Sequence, residues 1–211
     1  MAISFPLDLP VHTGIRNTRI SPAIPVARTQ SEFTGAQQIQ QHPGEWWEAE
    51  LTLPIMTLAQ AELWNVFFLK LRGGLGTFLI GDPARAVAQG SASVTPGTPL
   101  LNGAHAARVN IINLKGCPIN VTGYLKAGDY IQLGTGATAR LHKVLMDVNT
   151  NGSGVASNID IFPFLRTSYS DGAAVVVSSA KGNFRLANNN VAWDIDEATL
   201  YQKSFNIVEA L

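Results

Sequence analysis

Hydrophobic and polar positions along the chain fall into three patterns. In the first thirty residues, Ile3, Phe5, Leu7, Leu9, Ile20, Ile24 and Val26 are interspersed with Pro6, Pro10, Pro22 and Pro25. Proline fixes its own φ and lacks an N–H to donate, so this stretch predicts an extended arm or edge strands, not a helix. From Trp46 the alternation is strict. Trp47, Ala49, Leu51 and Leu53 share one face, Trp46, Glu48, Glu50 and Thr52 the other, and Pro54 ends the pairing. A period of two is that of a half-buried strand. Next comes the one strong helical pattern, with Leu58, Trp64, Phe67, Phe68 and Leu71 recurring at helical spacings. Thr57 is placed as its N-cap and Gln60 at the capping-box position. Lys70 and Arg72 suit the negative end of the helix dipole, and the Gly73–Gly74 pair supplies the stop.

A glycine cluster between two regular elements raises the question of phosphate binding. In dinucleotide folds the glycines follow a strand and open a helix, so that amide groups at the helix N-terminus face the phosphate. Here the order is helix, glycines, strand ("LKLRGGLGTFLI"). The carbonyl end of the helix would face any ligand, and the cluster reads as a C-terminal cap that reverses the chain.

Beyond residue 85 the pattern changes to short β-type runs: "RVNIINL", "VTGYLKAGDYIQLG", "RLHKVLMDV", "ASNIDIFPFL", "AAVVVSS" and "NFRLAN", separated by Gly, Asn, Ser and Pro clusters. No helical pattern of crossover length lies between them, which predicts a barrel or sandwich and not βαβ units. The Gly/Ser/Thr/Pro-rich "QGSASVTPGTPLLNG" marks one boundary and "SSAKGN" the return. The expected fold is mainly β. Residues 1–85 and 183–211 would form a split-barrel or sandwich-like domain with one packed helix, and residues 86–182 an inserted small all-β barrel or sandwich.

Charge changes the picture of the surface. Of 211 residues only 14% are charged, the net charge is +0, and 46% are hydrophobic. Such a balance offers no attraction to nucleic acid or anionic lipid, and a chain without net charge fits an assembly better than a dispersed monomer. No apolar run has the length of a membrane span, and the start "MAISFPLDLP" has no signal-peptide pattern.

Candidate chemistry is sparse. His12, His42, His105 and His142 fall in different elements without metal-binding spacing, so no metal is expected. His142 reads as a strand residue at a polar face or barrel rim. The single Cys117 has no disulfide partner and only Lys115 beside it, and reads as a small buried hydrophobe. "NGSGV" lacks the nucleophile-elbow spacing. Asp129, Asp147, Asp160 and Asp171 sit at turns or strand ends, where carboxylates bind backbone amides. The residues describe a scaffold subunit: no enzyme, no cofactor, and an apolar arm (Ile3, Phe5, Leu7, Leu9, Ile20, Ile24, Val26) suited to cover a neighbour's sheet edge or its own. The rival reading is a carbohydrate-binding module gripping glycan through exposed Trp46, Tyr124, Tyr130 or Tyr169. Trp47 and Trp64 belong to core faces, and Trp193 completes the tryptophan set.

The order "WWEAELTLPIMTLAQAELWNVFFLKLRGGLGTFLIGDP", then "LKAGDYIQLG…RLHKVL", then "GNFRLANNNVAWDIDEATLYQKSFNIVEAL" resembles the distal tail proteins of long-tailed bacteriophages, structural proteins of the tail tip and baseplate hub. Other minor tail proteins share such modules. The resemblance implies a split-barrel-like domain with one helix, a hexameric homo-oligomer ring below the tail tube, and a second β domain facing outward. It also implies the tail tube protein and the hub or fibre proteins as partners, location in the virion after synthesis in the host cytoplasm, and no catalytic residues.

Overall fold

The computed structural model describes residues 3–10, 14–189, 192, 194–195 and 201–211. Its first strands are β1 (Asn17–Ala23), β2 (Val26–Gln30), β3 (Gln37–Gln41) and β4 (Trp46–Thr52); helix α1 (Leu58–Leu71) then leads to β5 (Thr77–Ile80). Six strands follow: β6 (Leu100–Leu101), β7 (Ile111–Lys115), β8 (Tyr130–Leu133), β9 (Arg140–Val144), β10 (Ala156–Phe162) and β11 (Val175–Val176). The chain closes with β12 (Gly182–Leu186), β13 (Asp194–Ile195), β14 (Tyr201–Gln202) and β15 (Ser204–Glu209). The protein is mainly β, and α1 is the one α-helix among the described residues.

Five strands form an antiparallel sheet in the order β1-β4-β15-β12-β5, joining the two ends of the sequence. The alternation in β4 acts as expected: Trp47, Ala49 and Leu51 are buried while Glu48 and Glu50 are exposed. Helix α1 covers the buried face. Trp64, Phe67, Phe68 and Leu71 join Trp47, Leu51, Phe78 and Phe205 in one core, with Phe67 edge-on to Phe78 at 5.4 Å and Phe68 edge-on to Phe205 at 4.9 Å. Such edge-to-face pairs add to plain area burial. Thr57 is the N-cap, and Gln60 Oε1 accepts a hydrogen bond from the Thr57 N–H at 3.1 Å. The chain reversal begins one residue before the glycines. Arg72 takes the left-handed conformation (φ 51°) and Gly73 continues it (φ 71°). A Cβ at Gly73 would lie 2.9 Å from Asn189 Oδ1, the same oxygen that accepts from the Gly74 N–H at 3.0 Å. The glycine pair thus lets the turn dock on the segment after β12.

The other six strands run β11-β8-β9-β10-β7-β6. The first and last segments meet: Leu101 N–H donates to Ala173 O at 2.8 Å and Val175 N–H to Pro99 O at 3.0 Å. The sheet is therefore nearly closed as a barrel, which leaves few strand edges to manage. Leu101, Ile112, Leu114, Ile131, Leu133, Val144, Ile159 and Ile161 fill it. Asp129 staples its loops. Its carboxylate accepts from the N–H groups of Gln89 and Lys126, each at 2.8 Å, and of Gly90 at 3.4 Å, while being 1% exposed. Asp129→Ala strands these donors beside a closed core and is expected to cost about 2 kcal/mol. Urea titration of variant and parent by circular dichroism measures it, and equal midpoints would refute it.

The two cores touch. Tyr130 and Leu141 of the barrel belong to the first core, and Trp47 Nε1–H donates to Leu141 O at 3.0 Å while its ring meets Phe162 at 4.9 Å.

Of the two placements expected for the N-terminal arm, a neighbour's sheet edge or its own, four of its apolar residues take the second. Leu7 pairs with β5 of its own sheet, donating its N–H to Thr77 O at 2.8 Å and accepting from Leu79 N–H at 3.1 Å. Phe5, Leu7, Leu9 and Ile20 pack on the chain's own core. The reason is local: β5 would otherwise end the sheet with unpaired backbone groups, and the arm lies close enough to satisfy them. Ile3, Ile24 and Val26 remain 41%, 51% and 48% exposed.

Candidate interaction surface

Four large aliphatic side chains are exposed on the outer side of α1. Leu58 (56% exposed), Leu63 (48%), Val66 (45%) and Leu69 (73%) face away from the core that the other side of the helix fills. Leu58, read from the sequence as part of the buried face, is exposed because it opens the helix beyond the sheet's reach. The exposed Glu62 and Lys70 share this side of the helix, and Leu63 and Val66 line a groove with Leu7 and Pro10 of the chain's own arm.

A second feature is absent from the sequence reading. β2 and β3 pair into a hairpin in which every strand residue is exposed, with Ser31–Ala36 at its tip. Phe33 at the tip is 98% exposed. The signal was weak because Gln, Thr and Arg carry the strands and the only apolar alternation is Val26, Ile39 and the turn Phe33. Gly35 at φ 69° is the local cue that makes the turn.

A third feature is a groove of about 530 Å³ where the first sheet meets the barrel. Ile24, Trp47, Tyr130, Leu145 and Phe162 line it, with Asp82 and Lys143 at its polar positions. The Lys143 ammonium lies 4.8 Å from the centre of the Tyr130 ring, a cation–π contact.

The aromatic residues proposed as a sugar platform are redistributed. Tyr124 is fully buried in the barrel and donates its hydroxyl to Pro96 O at 2.6 Å; burial holds its pKa far above the ordinary value. Tyr130 is also buried, its hydroxyl pushed up to about 12 by burial and then by Asp82. Neither can stack openly on a sugar. Trp46 is half-buried, its indole N–H donated to Glu48 Oε1 at 2.9 Å, and Tyr169 is half-buried against the barrel core. The barrel needed large side chains to fill its interior, and a tyrosine serves once its hydroxyl finds an acceptor. Trp193 and His12 lie outside the described residues.

Among the described residues no three metal-ligating side chains cluster. His105 Nδ1 lies 3.0 Å from Gly103 O, and its Nε2 accepts from the Asn113 N–H at 3.1 Å. His142 is not at a barrel rim: it is 1% exposed, with Nδ1 at 2.8 Å from Pro163 O, and its pKa is lowered to about 4 chiefly by burial. Burial also raises the Cys117 thiol, leaving it an inert packing group. The four aspartates are committed separately: Asp129 as above, Asp147 to Lys126 and the Ala127 N–H, Asp160 to Asn110, and Asp171 to Lys115 and the Gly103 N–H.

Sequence reasoning also missed a set of buried charges at the joint between the cores. Glu45 Oε2 accepts from the Phe164 N–H at 3.3 Å, Glu209 Oε2 from the Trp47 N–H at 3.3 Å, and Arg166 Nη2 lies 3.8 Å from Glu209 Oε2. Burial raises the Glu209 pKa, and Arg166 only partly offsets that. These groups tie the barrel to the five-stranded sheet.

No helix among the described residues is long and apolar enough to cross a membrane. The chain matches no protein-family model and no curated protein.

Proposed function

We propose that this chain is a structural subunit that assembles into a homo-oligomeric ring, of the distal tail protein kind, at the end of a bacteriophage tail. In this reading it joins the tail tube to the host-adsorption apparatus within the virion and performs no catalysis. The observation that carries the proposal is the bare outer face of α1. Leu58, Leu63, Val66 and Leu69 cost free energy in water, and burying each large aliphatic side chain is worth roughly 1.5–3 kcal/mol. Several large aliphatic side chains exposed on one side of a helix, here with Glu62 and Lys70 among them, suit a protein contact. The low charge of the chain and its fold of one helix on a five-stranded sheet with a barrel alongside support the same reading.

Light scattering of the full-length chain over a range of concentrations tests this. The expected result is a defined species whose mass is a multiple of 22.6 kDa, which Leu63→Lys combined with Leu69→Lys converts to monomer. A parent chain that stays monomeric at all concentrations, alone and with a tail tube protein, defeats the proposal.

A further inference from the structure

Among the described residues Lys203 is the only buried lysine, 4% exposed, between β14 and β15. Its Nζ lies 3.1 Å from Asn65 Oδ1 and 4.3 Å from the centre of the Phe68 ring. Asn65 in turn donates an Nδ2–H to Glu62 Oε1 at 3.0 Å. Glu62, Asn65 and Phe68 follow one another three residues apart on α1, a spacing that sets neighbours along one line of a helix. An amine, a carboxamide and a carboxylate thus form one chain of hydrogen bonds. We infer that this is a self-modification site, at which Lys203 Nζ attacks the side-chain carbonyl of Asn65 and an isopeptide bond joins α1 to the start of β15.

Three features of the setting suit the reaction. Burial disfavours the ammonium form, and the Lys203 pKa is lowered from 10.5 to about 8, with the Glu62 carboxylate opposing. About half of such amines carry a free lone pair at pH 8, against fewer than about one in a hundred for an ordinary lysine. Orientation is the second feature. A lysine ammonium only donates and a carboxylate only accepts, so the pair fixes Asn65 with Oδ1 toward the lysine and Nδ2 toward Glu62. The carbonyl carbon lies about 1.2 Å beyond Oδ1, within a small sway of the lysine stem. Partners held together in this way react as one molecule, at a high effective concentration. The third feature is a proton carrier at the leaving nitrogen. As the Nζ–Cγ bond forms, Oδ1 takes the carbonyl electron pair, and Glu62 accepts a proton from Nζ and passes it to Nδ2. The carbonyl then re-forms, the Cγ–Nδ2 bond breaks, and Nδ2 leaves as ammonia. One amide replaces another, so neither oxidant nor reductant is needed. Glu62 is exposed and Asn65 half-buried, which gives the ammonia a way out. The chain acts once, on itself. Residues 65 and 203 bracket the whole barrel, so the bond ties its entry to its exit as a long-loop cross-link does.

The test takes the full folded chain, holds it at about pH 9, where the amine is mostly uncharged, and weighs it intact by mass spectrometry. The expected result is a mass about 17 Da below that of the sequence, one ammonia per chain. A tryptic digest is expected to contain residues 29–70 joined to residues 186–211, uncut at Lys203. The linked peptide decides, because the Asn102–Gly103 and Asn151–Gly152 pairs lose ammonia by cyclising on their own backbone. Lys203→Arg, which keeps a cation beside Phe68 and a donor for Asn65, is expected to fold by circular dichroism and to show no link. Glu62→Gln is expected to form the link about a hundredfold more slowly. A parent chain whose two peptides stay unlinked after days overturns the inference, and so does a link between them that survives in Lys203→Arg. The mass of the single chain is read whether or not it assembles, so this result stands apart from the ring proposal.

Discussion

Replacing Trp64 with alanine is expected to lower stability by about 3–5 kcal/mol, the largest effect of any single substitution considered for this chain. Trp64 is 2% exposed and sits between Phe67 (ring centres 5.6 Å apart), Phe68 (5.9 Å) and Phe205 (6.0 Å), so it joins the helix to the C-terminal strand of the sheet. Truncation removes the apolar contact and leaves a cavity that the surrounding rings cannot collapse into without breaking their edge-on geometry. Against a typical total of about 5–15 kcal/mol, that is a large share. Urea unfolding followed by the fluorescence of Trp46 and Trp47, both on β4, reads the core in question. Glu50→Ala, on the exposed face of β4, is the control and is expected to change stability by less than about 0.5 kcal/mol. A midpoint for Trp64→Ala indistinguishable from the parent would mean that the helix does not hold this sheet.

The second large effect is an acid destabilisation centred on His142. Its imidazole is enclosed at the joint between the cores, Nε2 has no hydrogen-bond partner, and its pKa falls from 6.5 to about 4, by burial first and then by the nearby Arg166 and Arg140, with the Pro163 carbonyl opposing. The folded value is depressed below the unfolded one. Below pH 6.5 the unfolded chain therefore takes up a proton that the folded chain refuses, and stability is lost as pH falls from about 6.5 to about 4. The drop in pKa corresponds to roughly 3 kcal/mol over that window. Glu209 acts in the other direction. Its folded pKa is raised, so its contribution grows more favourable as pH falls through that raised value toward the ordinary 4.5. Comparison with His142→Asn, whose amide can still donate to the Pro163 carbonyl, isolates the histidine. The stability advantage of the parent over His142→Asn is expected to shrink by roughly 3 kcal/mol between pH 7 and pH 4. Parallel pH curves would show that the imidazole titrates as freely folded as unfolded.

What the sequence by itself determined is local and periodic. The two-residue alternation from Trp47 to Leu53 placed β4 and its buried face, and the helical spacing of Trp64, Phe67, Phe68 and Leu71, with Thr57 and Gln60 before it, placed α1 and its cap. The order of helix, glycines and strand placed the glycine turn at the carbonyl end of the helix, because the direction of the helix dipole follows from the order of residues. Only the tertiary structure decided the rest. Whether Phe5 and Leu7 cover their own β5 or a neighbour's edge depends on which strand ends the sheet, a long-range fact that no local pattern carries. Tyr124 and Tyr130 look alike in sequence to any exposed aromatic, and they went inside because barrel closure created an interior to fill and acceptors within reach. Glu45, Arg166 and Glu209 meet only because the ends of the chain return to one sheet and bring the barrel against it. The hairpin from Val26 to Gln41 was hidden for the opposite reason: it buries nothing in its own chain, so it imposes no hydrophobic period on the residues that form it.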